Sequence, residues 1–419
     1  MNFLFTDQQL QISESITKIC SQFDDEYWFS RDKTGEFPHD FCSALATNGW
    51  LGIAMPEEYG GSGLGITEAA LMMKAIAESG AAMSGCSAVH MNIFGPNVLV
   101  VFGTDEQKTR MLPPLIRGEA RACFGVTEPD AGLDMAHLKT QAVRDGDKYI
   151  VHGRKVWTST AQVADKILLI ARTKPADENS RASDGLSLFY TDLDRTKVEV
   201  REIEKMGRKA VDSNELFIDG LEIPVGDRIS EEGMGFQCLL HGLNPERILI
   251  AAESVGVGHV ALSRATQYAK DRVVFNRPIG MNQAIQHPLA ESWCELEAAN
   301  IMCFKAATLY DSGAPCGIEA NAAKFLAAKA GFRACERAIL THGGYGYAKE
   351  FHVERFMREQ WINRIAPVTE QLMLCYIAER ALGLPKSYSE LPQGVRLQLL
   401  PSSTRLYRKS QHPAPRMIV

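Results

Sequence analysis

The spacing of apolar residues changes twice along this chain, and those changes limit the folds available to it. Up to about residue 120, apolar residues recur near helical spacing in several segments. From about 121 to 230 the pattern becomes a series of short β-rich segments separated by turn residues. Beyond Gly233 long helical periods return. Helical, β and helical regions in succession predict an α+β protein.

The predicted division is a helical domain over 1–120, an antiparallel β domain over 121–230, a helical bundle over 231–388 and a flexible tail over 389–419. The tail is expected because the chain becomes rich in Pro, Ser and Arg there. The predicted bundle helices are Pro245–Lys270, Gln286–Ser312 and Ile318–Thr341. At the other end of the chain, Thr6 and Gln9 have the spacing of a helix capping box.

Composition excludes several classes of function. The chain has 419 residues, enough for two or three domains, and a net charge of −6 that opposes non-specific nucleic-acid binding. Apolar stretches such as Ile167–Ala171 are too short to cross a bilayer, so no membrane insertion is predicted. The start MNFLFTDQQL lacks an export signal, and the 10 cysteines lack CxxC pairs and histidines at metal spacing. We therefore expect a cytoplasmic location and no bound metal.

Several motifs, in a fixed order, resemble those of one enzyme family. They read GWLGIAMPEEYGGSG, FGTDEQKTRMLPPLIRGE, CFGVTEPDAG, GRKVWTSTAQVAD, YAKDRVVFNRPIGMNQAIQHPLAE and GGYGYAKEFHVER. Together they resemble the acyl-CoA dehydrogenase family over residues 1 to about 388. The resemblance implies a four-helix bundle as the C-terminal domain, FAD at a subunit interface and an acyl-CoA substrate. It also implies a homo-oligomer, commonly a tetramer and sometimes a dimer, with an electron-transfer flavoprotein as a possible partner.

The resemblance assigns cofactor contacts residue by residue. The flavin ring would meet a turn after the first motif and the Trp-Thr-Ser segment, with the Ser hydroxyl directed at flavin N5. The diphosphate and adenine would meet an arginine, an aromatic ring and a bare glycine pair, partly from a neighbouring subunit. The assigned residues are Phe124, Val126, Thr127, Gly132, Trp157, Ser159, Arg272, Phe275, Gln283, Gly343, Gly344, Thr369 and Gln371. At Leu340 the chain lacks a glutamine that the family often uses for FAD.

The catalytic base cannot occupy its commonest place in the family. The chain reads Ile-Ala-Pro-Val-Thr over 365–369, where most members carry Ile-Tyr-Glu-Gly-Thr, so Pro367 replaces the glutamate. Isovaleryl-CoA and long-chain dehydrogenases instead carry the base in a Leu-x-x-Glu-Arg segment. Here that segment runs from Leu243 to Arg247, which assigns the base to Glu246. Glu253, two helical turns further on, is the weaker candidate.

Two features of the base assignment remain open in the sequence. Pro245 favours a helix start, so Glu246 could instead be a glutamate that stabilises a helix dipole. Pro367 also lacks the N–H that would polarise the thioester carbonyl, unless the N–H of Val368 or a flavin hydroxyl does so. Other substrate contacts are expected at Arg247 for the CoA moiety, at Leu133 where many members have a serine, and at Ala366, which leaves space near the thioester.

The predicted function is therefore α,β-dehydrogenation of an acyl-CoA to a trans-2-enoyl-CoA, with Glu246 as the base and hydride transfer to flavin N5. Two alternatives stay open. One is a flavin-retaining relative that performs an elimination or an oxidase reaction on an acyl-CoA. The other is a non-catalytic scaffold that binds FAD or acyl-CoA.

Overall fold

The computed structural model describes residues 4–175 and 182–387, so the predicted tail over 389–419 lies outside the described residues. The N-terminal region is helical, as predicted. Its helices are α1 (Asp7–Cys20), α2 (Asp25–Thr34), α3 (His39–Thr47), α4 (Ile66–Ile76), α5 (Ala82–Phe94), α6 (Asn97–Phe102) and α7 (Asp105–Ile116).

Local signals explain where several of these helices begin and bend. The capping box of α1 is confirmed, because the Thr6 side chain accepts from Gln9 N–H and the Gln9 side chain caps the Thr6 N–H. A five-residue π-helical turn joins α4 to α5, and Gly80 within it has φ of 98°, which a glycine adopts without strain. Every residue of α5 is buried, so this helix passes through the interior of the protein.

The middle region forms one sheet. Its strands are β1 (Ala122–Gly125), β2 (Gln141–Asp145), β3 (Lys148–Ser159), β4 (Lys166–Arg172), β5 (Leu186–Asp192), β6 (Val198–Glu202), β7 (Ser213–Pro224) and β8 (Arg228–Ile229). The strand order is β6-β7-β3-β2-β4-β5-β8. Most neighbours are antiparallel, as predicted, but β1 and β2 each pair with β4 in parallel, with Ala122 opposite Lys166 and Gln141 opposite Arg172.

The C-terminal region is a helical bundle with a short hairpin. Its elements are α8 (Gly235–Asp271), β9 (Val273–Val274), β10 (Arg277–Pro278), α9 (Gln283–Asp311), α10 (Gly317–His342), α11 (Val353–Ile365) and α12 (Glu370–Arg380). The α+β fold class is therefore confirmed. The prediction of a helix start at Pro245 is wrong, because α8 begins at Gly235 and continues through that proline.

Helices α8 and α10 approach each other closely because both carry glycine at their crossing. A Cβ added at Gly258 would lie 3.0 Å from Gly331 Cα, and one added at Gly331 would overlap the carbonyl oxygen of Ser254. Dense helix packing of this kind leaves no room for an extra methyl group. The crossing fixes the spacing between the two helices that carry Glu246 and Lys324.

An ion pair and a pair of buried hydrogen bonds connect the N-terminal helices to the bundle. Arg358 of α11 binds Asp32 of α2 at 2.7 Å. Glu359, which is completely buried, accepts hydrogen bonds from Ser84 N–H at 2.9 Å and Ser84 Oγ at 2.6 Å at the start of α5. These contacts satisfy charges that would be costly to bury alone, so they fix α2 and α5 against the bundle.

Two helical segments are long and apolar enough to cross a membrane by length and composition alone. They are Ile66–Phe102 and Gly235–Asp271, and 72% and 83% of their most apolar windows are buried inside the protein. The core helices of globular proteins have the same property.

The close crossing makes a stability prediction. Gly331→Ala should lower the free energy of unfolding by roughly 1–3 kcal/mol, because the new methyl group would overlap the backbone of α8. The unfolding temperature should fall accordingly. Thermal unfolding of the FAD-loaded protein at fixed concentration measures this effect. Gly226→Ala is the control, since a Cβ there meets no atom within 4 Å. Equal melting temperatures for the two variants would contradict the packing account.

Candidate active site

Glu246 lies well inside α8, so it does not stabilise a helix start. Its side chain is 6% exposed, and its Oε2 has no hydrogen-bond partner among the described residues. Burial raises the pKa of Glu246 to about 7, against the lowering effect of nearby positive charges on His90, Arg247 and Lys324. A buried carboxylate with a free oxygen and a pKa near neutrality has the properties of a general base.

Lys324 of α10 is a second charged group at this site, and it was not predicted from the sequence. It is completely buried, and its Nζ donates a hydrogen bond to the Val368 carbonyl oxygen at 2.7 Å. Burial lowers the pKa of Lys324 to about 7, and the charge of Glu246 opposes that shift. The Pro367–Val368 segment is thereby fixed next to the cluster that contains Glu246.

Helical spacing around Lys324 could have revealed it. Its neighbours one turn away are Asn321, which is 2% exposed, and the alanines at 320, 327 and 328, which are completely buried. A lysine in the middle of an alanine-lined helix face must either be paired or act on a ligand.

Glu253, the weaker candidate for the base, already has a partner. Its Oε1 lies 2.6 Å from Nδ1 of His90, and both side chains are buried. His90 was not identified from the sequence, because a single histidine in an apolar helix carries no signal that distinguishes it. The pairing leaves Glu246 as the carboxylate with an unoccupied oxygen, which favours it as the base.

The predicted flavin-ring residues are held in place by a buried ion pair. Lys155 of β3 is completely buried, and its Nζ donates to Glu128 at 2.8 Å and to the Val126 carbonyl at 3.1 Å. Val156 N–H in turn donates to the Thr127 carbonyl at 2.9 Å. The turn over 126–128 is therefore fixed against β3, which brings together the two predicted flavin motifs.

Trp157 has a geometry that suits contact with a ligand. It lies where the pairing of β3 with β7 shifts register, its φ is 61°, and its side chain is 59% exposed. A core role is therefore excluded, since a core tryptophan would be buried. Positive φ at a bulky residue costs free energy and is commonly found at functional sites. Ser159, two residues on, is half-buried on the same strand.

A chain of aromatic contacts links the flavin motif to the carboxylates. The ring of Phe124 lies 5.7 Å from that of Phe94, and the ring of Phe94 lies 5.0 Å from that of His90. Glu253 binds His90, and the His90 charge acts on Glu246. The structure thus brings Phe124 and Glu246 to the same interior region of one chain.

The predicted diphosphate and adenine residues form a second, exposed group. The Arg272 guanidinium lies 5.7 Å from the ring centre of Tyr345, so the β9–β10 hairpin adjoins the glycine-rich turn. Phe275 is 94% exposed with φ of 53°. A Cβ added at Gly343 or Gly344 meets no atom within 4 Å, so both backbones are open to a ligand. Gln283 is also exposed, at the start of α9.

The remaining predicted contacts lie at a cavity mouth and at exposed loops. Arg247 is half-buried and lines a cavity of about 220 Å³ with Asn321, Val368, Leu372 and Tyr376. Its Nη1 donates to Asn244 Oδ1 at 3.2 Å, and its Nε has no partner among the described residues.

Near this mouth, Thr369 caps α12 by accepting from Leu372 N–H, Gln371 is exposed and Ala366 is half-buried. On the sheet side, Gly132 is open to solvent, and Leu133 is 48% exposed. Within residues 4–175 and 182–387, His, Cys, Asp and Glu side chains form no group of three that could hold a metal ion.

The residues present fit FAD. An exposed indole beside a half-buried hydroxyl suits a flavin ring, and an exposed arginine beside two bare glycine backbones suits a diphosphate.

Comparison with known proteins supports the same family and the same cofactor. The chain matches the family models "Acyl-CoA dehydrogenase, N-terminal domain" over 6–119, "middle domain" over 123–221 and "C-terminal domain" over 233–382. It is 35% identical over 389 residues to the acyl-CoA dehydrogenase FadE12 of Mycobacterium tuberculosis, covering 92% of this chain and 99% of that protein.

A second relative is the caffeyl-CoA reductase-Etf complex subunit CarC of Acetobacterium woodii. It is 33% identical over 351 residues, which cover 83% of this chain and 90% of that protein. The structure of butyryl-CoA dehydrogenase from Megasphaera elsdenii matches with a TM-score of 0.87 and 28% identity, over 92% of this chain and 100% of that one. The chain therefore belongs to the acyl-CoA dehydrogenase family and is an FAD-dependent oxidoreductase.

Proposed function

We propose that this protein removes the α proton and the β hydride of an acyl-CoA thioester, giving a trans-2-enoyl-CoA, with Glu246 as the base. The observation that carries the proposal is the enclosed carboxylate of Glu246, whose Oε2 has no partner among the described residues. An oxygen left unpartnered in the interior is costly unless a ligand reaches it.

The proton and the hydride that leave the substrate each have a defined acceptor. The Glu246 carboxylate accepts the proton from the carbon next to the thioester carbonyl, and the electron pair of that bond forms the new double bond. Bound FAD supplies the acceptor for the hydride lost from the β carbon. A carboxyl pKa of about 7 lets Glu246 accept a proton near neutral pH and release it after turnover.

The thioester carbonyl also needs a hydrogen-bond donor, and Pro367 offers none. We propose the Val368 N–H as the substitute. Lys324 supports this role because its bond to the Val368 carbonyl fixes the orientation of that residue.

The substrate is proposed to enter past Arg247, whose guanidinium lines the cavity beside Val368 and would bind the CoA moiety. Ala366 is small where the family commonly carries tyrosine. The space at 366 suits acyl groups that are branched or bulky near the thioester.

Assembly into an oligomer is proposed from the separation between Arg272 and Glu246, beside which the flavin ring is proposed to lie. At 1.5 Å per residue, roughly 39 Å of α8 separates Glu246 from Arg272. Arg272 follows the C-terminal end of α8, far from the region where the flavin ring of the same chain is proposed to lie. Arg272 and the 94% exposed Phe275 are therefore proposed to hold the FAD of a neighbouring subunit.

The proposed electron acceptor is an electron-transfer flavoprotein. The name of the CarC relative places that protein in a complex with Etf, and this chain is 33% identical to it. The cytoplasmic location stays a prediction.

The alternative is a different reaction at the same site. Pro367 favours it, because the usual carbonyl donor is absent. The name of the CarC relative, which describes a reductase, also favours it.

Anaerobic mixing of the FAD-loaded protein with a panel of acyl-CoAs separates the possibilities. Loss of flavin absorbance supports dehydrogenation. A spectral shift without reduction indicates binding only, and oxygen consumption in air indicates an oxidase.

Replacing Glu246 should stop flavin reduction while FAD remains bound. Glu246→Gln should reduce the rate of flavin reduction by acyl-CoA at least about a thousandfold while FAD content stays full, because the amide cannot accept a proton. In the parent enzyme the rate should rise with pH and reach half its maximum near pH 7, since the deprotonated carboxylate is the active form. Stopped-flow absorbance measures both.

Glu253→Gln is the matched control, because it makes the same change on the same face of α8. It should cost far less, since Glu253 binds His90 rather than the substrate. A Glu246→Gln enzyme with normal reduction rates would contradict the base assignment.

The Ser159 hydroxyl is expected to act on the reduction step. Ser159→Ala should slow flavin reduction roughly 10- to 100-fold without lowering the unfolding temperature, because the lost hydrogen bond is strongest in the transition state. Thr158→Val is the control, since the neighbouring Oγ1 is buried and has no partner among the described residues. Unchanged reduction in Ser159→Ala would remove that serine from the flavin site.

Arg272 tests the shared FAD site. Arg272→Ala should lower the FAD content of the purified protein while the oligomer persists, because the variant loses a diphosphate contact supplied from the next subunit. Absorbance ratios and light scattering measure the two quantities. Arg277→Ala, on the other strand of the same hairpin, should keep its FAD. A monomer with full FAD would refute the shared site.

A further inference from the structure

His90 is a buried residue with one nitrogen occupied and one unoccupied. It lies on α5 with 8% exposure, and its Nδ1 binds Glu253 Oε1 at 2.6 Å. Its Nε2 is enclosed and has no hydrogen-bond partner among the described residues. Buried polar atoms of folded proteins are nearly always partnered, so this nitrogen requires an explanation.

The bond to Glu253 determines what Nε2 can offer. Burial alone would lower the pKa of His90, but the charge of Glu253 and its hydrogen bond raise it above the ordinary value. A protonated ring that donates its Nδ1 hydrogen to Glu253 presents an N–H at Nε2. That N–H needs an oxygen to accept it.

The position of His90 indicates where this oxygen comes from. Its ring touches Phe94, which packs against Phe124 of the flavin motif, and its charge acts on Glu246. His90 therefore lies in the interior region between the base and the flavin motif. An acyl chain whose α carbon reaches Glu246 would extend through this region.

The surrounding charges favour a neutral oxygen over a carboxylate. The charged groups that act on His90 are Glu253 and Glu246 of α8 and Arg208 of the loop before β7. Glu253 already balances the His90 charge, and the buried Arg208 is balanced by the carboxylates of Glu359, Glu253 and Asp212. A third carboxylate would face two others in a poorly solvated space.

We propose that His90, oriented by Glu253, binds a neutral oxygen on the acyl group, so that the enzyme selects acyl-CoAs with a keto or hydroxyl oxygen beyond the β carbon. The inference rests on the proposed function, since it places the acyl chain between Glu246 and the flavin motif. It adds a substrate class that the family membership leaves open.

Binding of unreactive analogues tests the proposal without turnover. The probes are 3-thiaoctanoyl-CoA, whose β sulfur cannot lose hydride, its derivatives with an oxo group moved from C5 to C7, and the derivative that ends in a carboxylate. Calorimetry on the FAD-loaded oligomer gives the ratio of each dissociation constant to that of the parent. The best oxo derivative should bind about tenfold more tightly than the parent, as a hydrogen bond from a charged donor gives.

Two variants of the His90–Glu253 pair distinguish a lost contact from a folding defect. His90→Phe removes both nitrogens, and His90→Phe/Glu253→Leu also removes the carboxylate that would be left unpaired. The preference should fall to about one in both. Val89→Ala is the control, because Val89 lines a separate cavity with Cys42. It should keep the tenfold ratio.

The outcomes distinguish failure of the proposed function from failure of the proposed role of His90. If no analogue binds the wild-type enzyme, the proposed function fails. If the analogues bind but show no oxo preference, or the preference persists in the folded double variant, the role of His90 is overturned alone. Tighter binding of the carboxylate derivative would overturn the selection of a neutral oxygen.

Discussion

The enclosure of Glu246 by three helices is the constraint on which the rest of this site depends. Helix α8 carries the carboxylate, α10 supplies Lys324 and α5 supplies His90. The charges lie in a poorly solvated interior, where each strongly affects the others. The pKa of Glu246 rises to about 7 and that of Lys324 falls to about 7. A small change in helix spacing would therefore alter the chemistry, and Gly258 and Gly331 fix that spacing.

If Glu246 is the base, as proposed, the 365–369 segment has a different role from the one it has in most family members. In the commoner arrangement one residue of that segment provides both the base and a backbone donor. Here Pro367 can provide neither, so the segment needs other support. Lys324 provides it by binding the Val368 carbonyl. In the proposed mechanism Lys324 positions the Val368 backbone, while Glu246 supplies the base from α8.

The sequence predicted the fold class, the FAD cofactor and the family, because those depend on periodicity and on contiguous motifs. It placed Glu246 correctly on a bundle helix but put the helix start at Pro245, since proline favours the first turn of a helix. Burial of α8 on several sides overrides that preference. Trp157 was assigned to the flavin by motif alone, and only the structure shows its exposed ring and positive φ. The alanines at helical spacing around Lys324 mark it as a buried lysine, but neither its role nor that of His90 could be assigned from sequence, because their partners are distant in the chain.

The most direct test of the central claim separates proton removal from hydride transfer. An acyl-CoA analogue with sulfur at the β position can lose its α proton but cannot lose hydride. Incubated with the FAD-loaded enzyme in D₂O, it should exchange its α protons for deuterium, at a rate that rises through about pD 7. We predict that the exchange, followed by NMR, disappears in Glu246→Gln and persists in Glu253→Gln. Exchange at the wild-type rate in Glu246→Gln would contradict the account.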